Sequence, residues 1–332
     1  MDFFIKIIYS LLSPYSLITS LRNFLYDYKI FKSKKYKNKV ISVGNLIMGG
    51  SGKSPMIEFL ANHLIKKNKS FSIVSRGYKR KTRGLIQIGE DDNFLSVGDE
   101  PMQFFKKFKD NCDIYVSERR QKALDIIEKN NVSYVLLDDA FQNRGIQKFL
   151  DIMLSSVKKP FYTDNVFPYG RLRELRHNAN RADIIIFTKC DKDISKNELE
   201  LHIEKSRKYV DENIPILFSY LEYEKPEKLF GEKITDNVLI LSSIAYPEEF
   251  YNYVKSKYSV VDTFKFADHH TYSRNDISNI LKKIDKSITL FTTEKDAVKL
   301  CEFGELLSSY NVYYIPIKMK FLSDSKLLKF IS

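Results

Sequence analysis

Residues 39–55, KVISVGNLIMGGSGKSP, join a short apolar strand (Val40, Ile41, Val43) to a glycine-rich turn, a lysine and a serine. Gly49, Gly50 and Gly52 leave room for backbone N–H groups to close around a phosphate, Lys53 supplies positive charge, and the Ser54 hydroxyl can reach a magnesium ion. The segment Gly49, Gly50, Ser51, Gly52, Lys53, Ser54 therefore reads as a nucleotide phosphate loop. The full pattern G-x-x-x-x-G-K-[ST] asks for glycine at position 47, which is Ile47. The shorter GGSGKS remains, a form also found in the deviant loops of partitioning and arsenite-pump ATPases, whose additional lysine is replaced here by Met48.

Five further groups of residues carry candidate chemistry. VSYVLLDD (132–139) is an apolar strand ending in Asp138 and Asp139, the place where a phosphate-loop fold keeps an acid to orient a magnesium shell. VGDEPMQF (97–104) sets Asp99 and Glu100 just before Pro101, at the start of a helix, where Asp99 is either a plain cap or a catalytic carboxylate. FADHHTY (266–272) follows a strand; adjacent histidines point to different sides, so one His paired with a carboxylate is more natural than a shared metal. FTTEKDAVKL (291–300) puts Thr293, Glu294, Lys295 and Asp296 at a strand-to-helix junction, as caps or as nucleotide contacts. TKCD (188–191) has the form of a base-reading element and also of a loop cap, and does not by itself indicate guanine.

These groups need a scaffold, and the alternation of strands and helices supplies one. It predicts a P-loop NTPase-like, mostly parallel sheet with helices on both faces and the ligand at the C-terminal ends of the strands. A charged, turn-rich stretch at 217–236 reads as a linker, which gives a core domain over 32–216 and a smaller α/β domain over 237–332. The chain of 332 residues, 43% hydrophobic, can bury a large core, so a disordered or fibrous chain is excluded. Its 54 Lys+Arg against 42 Asp+Glu give a formal charge of +12, which suits a polyanionic partner: nucleic acid, an anionic membrane or a phosphorylated substrate. Cys112, Cys190 and Cys301 are far apart, form no CxxC pair, and read as ordinary cysteines in a reducing compartment.

Residues 1–31 are dense in Phe, Ile, Leu and Tyr, but Lys6, Pro14 and Arg22 break every apolar run short of the ~18–20 residues that cross a bilayer. Neither a membrane span nor a cleaved signal peptide fits. The segment reads as a helix lying in the membrane interface, followed by a basic collar from Lys29 to Lys39, with a buried helical hairpin as the other reading.

Taken together the motifs resemble one family, the tetraacyldisaccharide 4'-kinases of lipid A synthesis. ISVGNLIMGGSGKSP, SRGYKR, VGDEPMQF, LLDDAFQNRG, GRLRELRHNANRADIIIFTKCD, FADHH and TEKDAVK stand in the family's order over residues 40–299. The resemblance implies transfer of the ATP γ-phosphate to the 4'-hydroxyl of tetraacyldisaccharide 1-phosphate, with Mg2+, at the cytoplasmic face of the inner membrane. It implies that Lys53 and Ser54 hold the β/γ-phosphates and the metal, that Asp138 and Asp139 complete the metal site, and that Asp99 takes the hydroxyl proton with His269 tuning it. Asn45, Arg76, Tyr78, Arg119, Arg120, Arg173 and Glu174 are the expected contacts to lipid head group or nucleotide. Asp99 and His269 fall in different expected domains, which implies closure. The partners expected are an anionic glycolipid and the membrane surface, without nucleic acid, the chain acting as a monomer.

Departures from the family pattern bear on specificity. DDAFQN has Ala140 and Asn143 where DDGFQH is frequent, GRLRE has Arg171 where Pro is common, and SRGYKR has Lys79 and Arg80 where small residues are usual. The competing function is a deviant-loop ATPase or GTPase serving as a switch or metallochaperone. It would share the loop and the Asp-Asp strand, and would need neither the lipid-facing helix nor an Asp99–His269 pair.

Overall fold

The computed structural model describes residues 13–323 and 327–331, and divides them into two compact units. The first comprises the described residues up to Arg76, Arg119–Leu221 and those from Met319 onward; the second comprises Gly77–Glu118 and Glu222–Lys318. This grouping departs from the linear division expected from the sequence. Residues 77–118 leave the first unit for the second, the last residues return to the first, and the stretch 217–236 contains strands, Ile216–Tyr223 and Glu227–Phe230. Asp99 and His269 consequently belong to one unit, so their pairing does not require closure of two domains.

The first unit is built on a mostly parallel sheet with helices on both faces, as the βα alternation predicts. Its strands run in the spatial order Ile317–Phe321, Ile216–Tyr223, Ile184–Thr188, Leu150–Ser156, Lys39–Asn45, Tyr134–Asp138, Phe71–Ser75. Lys39–Asn45 thus lies between the strand ending in Asp138 and Leu150–Ser156, parallel to both, with Val43 opposite Asp138. Strands buried on both faces read as continuous apolar runs, and Tyr134–Asp138 and Ile184–Thr188 are buried throughout. The helix Lys53–Lys66 that follows the glycine-rich turn buries Met56, Ile57, Leu60, Ala61 and Leu64 along one side. Each large aliphatic on that stripe contributes roughly 1.5–3 kcal/mol.

The helix Pro14–Asp27 packs in the opposite sense. Ser13 caps it, accepting from the Ser16 N–H, and Pro14 occupies the first turn, where no donor is needed. Its buried residues are Ser16 and Asn23, whereas Leu17, Ile18, Leu21 and Phe24 are exposed, Ile18 at 68%. Residues 1–12 of the expected interfacial segment lie outside the described residues. Among the described residues no helix is long and apolar enough to cross a membrane.

The second unit holds a five-stranded sheet in the order Ser259–Lys265, Asn237–Ser242, Ile288–Thr293, Asn311–Ile315, Glu227–Phe230. The first four strands are parallel and the last is antiparallel. The helix Asp99–Phe108 of the inserted stretch packs against the helix Glu294–Leu300. That contact explains why residues 77–118 belong here.

Candidate active site

In the first unit the glycine-rich turn is shaped by its backbone. Gly49, Gly50 and Gly52 have φ of 87°, 37° and 81°, conformations that cost a side-chain-bearing residue about 1–2 kcal/mol. Asn45, at the end of the strand, closes the turn from within: its Nδ2 donates to the Ile47 carbonyl at 2.5 Å and to Ser51 Oγ at 2.8 Å. Thr188 Oγ1, at the end of the strand Ile184–Thr188, donates to the Ser51 carbonyl at 2.9 Å. The loop amides are thereby held at the N-terminus of the helix Lys53–Lys66, where peptide dipoles favour an anion.

The acidic turn stands beside this loop. Lys53 Nζ lies 3.8 Å from Asp139 Oδ1, and Arg173 Nη1 donates to the same oxygen at 2.7 Å. Asp138 Oδ2 accepts from Ser75 Oγ at 2.9 Å. Arg120, buried, donates to the carbonyls of both Asp138 and Asp139 at 2.8 Å, fixing a turn in which Asp139 has a left-handed φ of 47°. Burial by itself would raise the Asp139 pKa, but the charges of Lys53 and Arg173 outweigh it and hold the carboxyl well below the usual range. The two carboxylates of this turn offer hard oxygen donors. Such donors suit magnesium, which takes one or two carboxylates and completes its shell with water and phosphate oxygens.

In the second unit a buried charge cluster surrounds Asp99. His269, in a left-handed turn with φ 57°, brings Nδ1 to 2.8 Å from Asp99 Oδ2 and 3.1 Å from Oδ1. Asp99 Oδ1 also accepts from the Glu100 N–H at 2.9 Å, and the residue is only 6% exposed. Lys295 and Lys299, one helical turn apart, approach Asp99 Oδ2 to 3.8 and 3.9 Å. Burial opposes the anionic carboxylate, but the Lys295 charge, the His269 hydrogen bond and the Lys299 charge bring its pKa down from 3.8 to about 2. A small, open cleft adjoins this cluster, lined among others by Tyr78, Lys79, Phe94, Asp99 and His269. A carboxylate kept ionised, oriented by an imidazole and open to a cleft is equipped to accept a proton from a hydroxyl.

The family model for tetraacyldisaccharide-1-P 4'-kinase matches residues 5–332. The chain belongs to the tetraacyldisaccharide-1-P 4'-kinase family. Among curated relatives, a tetraacyldisaccharide 4'-kinase of Flavobacterium psychrophilum is 36% identical, with 98% of this chain and 95% of the relative covered. One from Flavobacterium johnsoniae is 37% identical over 97% and 94% of the two chains. Among solved structures, LpxK from Aquifex aeolicus in complex with ATP is similar, with a TM-score of 0.74 and 29% identity over 96% of this chain and 95% of that one.

For this kinase-family chain, the structure sorts the residues singled out in the sequence. Lys53 and Asp139 come together in the first unit with Arg173, and Asp99 and His269 come together in the second. Tyr78 is 59% exposed and sets its ring edge-on to His269, centroids 5.1 Å apart. Arg76 and Arg119 are exposed. Asn45, Arg120 and Glu174 have hydrogen-bond partners within the protein. Asn45 braces the loop and Arg120 the acidic turn. Glu174, fully buried, accepts from Arg22 at 2.8 Å, Asn23 at 3.0 Å and Arg181 at 2.8 Å.

Of the two histidines, only His269 meets Asp99; His270 Nε2 is 3.1 Å from Asp276 and its ring stacks on Phe266. Thr293 caps its helix, accepting from the Asp296 N–H at 3.2 Å. Asp296 is buried under the cluster, accepting from the Ser243 N–H at 2.9 Å and Tyr272 Oη at 3.0 Å. The approach of Lys295 and Lys299 to Asp99 was missed in the sequence, although their i, i+4 spacing in TEKDAVK places both on one helix face.

Proposed function

We propose that this chain transfers the γ-phosphoryl group of ATP to the 4'-hydroxyl of tetraacyldisaccharide 1-phosphate, with the residues of its two units in the following roles. The turn Gly49–Ser54 and Lys53 hold the β- and γ-phosphates, the amides and the ammonium facing the oxygens that gain charge as the phosphoryl group moves. Ser54, Asp138 and Asp139 would hold Mg2+, which would supply positive charge against the phosphates. Arg173, fastened to Asp139, adds a second positive charge beside Lys53.

Asp99 takes the proton of the 4'-hydroxyl as the new P–O4' bond forms and the bond from the γ-phosphorus to the β,γ-bridging oxygen breaks. ADP leaves with the electron pair of that bond. His269 donates from Nδ1 to Asp99 and so orients the accepting carboxylate. The buried Asp99–His269 pair, open to a cleft, is the observation that carries this reading, because it supplies a proton acceptor for a hydroxyl substrate in addition to the phosphate loop. The outward apolar face of the helix Pro14–Asp27, with exposed Lys29, Lys32 and Lys35 following, supports a site of action at an anionic membrane surface.

The test is transfer of ³²P from γ-labelled ATP to tetraacyldisaccharide 1-phosphate in mixed micelles with Mg2+. Wild type labels the lipid, and Asp99→Ala and His269→Ala lose on the order of 10²–10⁴-fold in rate, the span ordinarily supplied by general-base catalysis. Nucleotide hydrolysis in water with no labelled lipid would overturn the kinase reading and favour the switch.

A further inference from the structure

The two lysines that approach Asp99 are not equivalent. Lys299, 1% exposed, donates to Ser243 Oγ at 2.5 Å, to Asp296 Oδ1 at 3.0 Å and to the His270 carbonyl at 3.1 Å. An ammonium has three hydrogens, so these acceptors use all of them and fix the group in place. Lys295 sits at the other side of the pair, 3.0 Å from His269 Nε2 and 3.5 Å from Glu100 Oε1. Burial works to lower the Lys295 pKa, but Glu100, then Asp99 and Asp268, raise it above the usual lysine value, so the group is an ammonium.

An ammonium can only donate. The hydrogen between Lys295 and His269 therefore belongs to the lysine, and Nε2 offers its lone pair. The imidazole hydrogen is left on Nδ1, where Asp99 Oδ2 accepts it at 2.8 Å. A second carboxylate competes for this arrangement, because Asp268 Oδ2 lies 3.8 Å from Nε2 and would favour a hydrogen there. We infer that Lys295 is a positioning residue, which keeps His269 Nε2 free of hydrogen against the pull of Asp268 and so commits the Nδ1–H to Asp99. This rests on the proposed role of Asp99 as proton acceptor only for its kinetic consequence; the hydrogen placement follows from the Lys295–His269–Asp99 contacts and the ammonium state of Lys295.

The experiment is ¹⁵N-detected imidazole NMR on the full chain near neutral pH, the His269 signals being assigned by their loss in His269→Asn. Wild type is expected to show an unprotonated Nε2 and a protonated Nδ1. In Lys295→Met, Nε2 gains N–H character, kcat for lipid phosphorylation falls on the order of tenfold, and KM for ATP stays within about twofold. Lys295→Arg, whose guanidinium N–H can donate to Nε2, restores the wild-type signals. A protonated Nε2 in wild type, or an unprotonated one in folded Lys295→Met, overturns the inference. If the Met variant does not fold, the wild-type spectrum decides. The imidazole signals are read without substrate, so they separate a failure of this placement from a failure of the kinase assignment.

Discussion

At the scale of single residues, the Asp99 cluster couples stability to pH. The carboxylate faces His269 from the loop after Ser259–Lys265 and both Lys295 and Lys299 from the helix Glu294–Leu300, while Glu100 adjoins it on its own helix. A pKa lowered from 3.8 to about 2 stabilises the folded state fully above the unfolded value, and the contribution disappears as pH falls through the window between them. Wild type should therefore exceed Asp99→Asn in urea-unfolding stability at about pH 6, and the gap should narrow as pH falls toward about 3. A gap independent of pH would mean that the charges around Asp99 do not set its titration. The motifs naming Lys53, Asp138, Asp139, Asp99 and His269 were legible because each lies in a short local pattern. The bracing contacts of Asn45, Arg120 and Glu174 were not legible, because a brace is recognised only by its partners, and those of Glu174 include Arg22 and Asn23, more than 150 positions away.

Among the elements, the helix Pro14–Asp27 departs most from ordinary folding, turning its polar residues inward and its large apolar ones outward. What holds it is a polar anchorage: Glu174 takes hydrogen bonds from Arg22 and Asn23, Tyr15 Oη donates to the Arg173 carbonyl at 3.0 Å, and Arg144 pairs with Asp27 at 2.6 Å. Removing a buried anion leaves its cations without compensation, so Glu174→Ala should cost roughly 3 kcal/mol, less than a fully buried pair because Arg22 is partly exposed. Leu21→Ser, on the exposed side, should change stability by no more than about 0.5 kcal/mol. Urea denaturation of the two variants distinguishes this anchorage from a helix held by its apolar groups, for which the order would reverse. The element types were legible from periodicity and from the buried apolar runs. The transfer of residues 77–118 to the second unit was not, because the pairing of Asp99–Phe108 with Glu294–Leu300 joins segments almost 200 residues apart and leaves no local mark in either.

For the whole molecule, net charge and the outward apolar face would act on the proposed membrane surface by different physics. The charge of +12 attracts an anionic surface over a range set by the Debye length, ~8 Å at physiological salt, and weakens as salt rises. The face formed by Leu17, Ile18, Leu21 and Phe24 gains free energy only on contact with hydrocarbon, nearly independently of salt. The two contributions can therefore be separated by flotation with vesicles of phosphatidylcholine, with and without phosphatidylglycerol, at low and high salt. Wild type should bind anionic vesicles most strongly at low salt and retain a salt-insensitive remainder on both kinds. Ile18→Ser with Leu21→Ser removes two side chains worth roughly 1.5–3 kcal/mol each when fully buried, which lowers partitioning by on the order of 10²-fold. That loss should appear on neutral and anionic vesicles alike, while the salt dependence on anionic vesicles is unchanged. If the double variant floats as wild type does, the exposed face is not the lipid contact, and electrostatic attraction alone would have to bring this chain to its substrate.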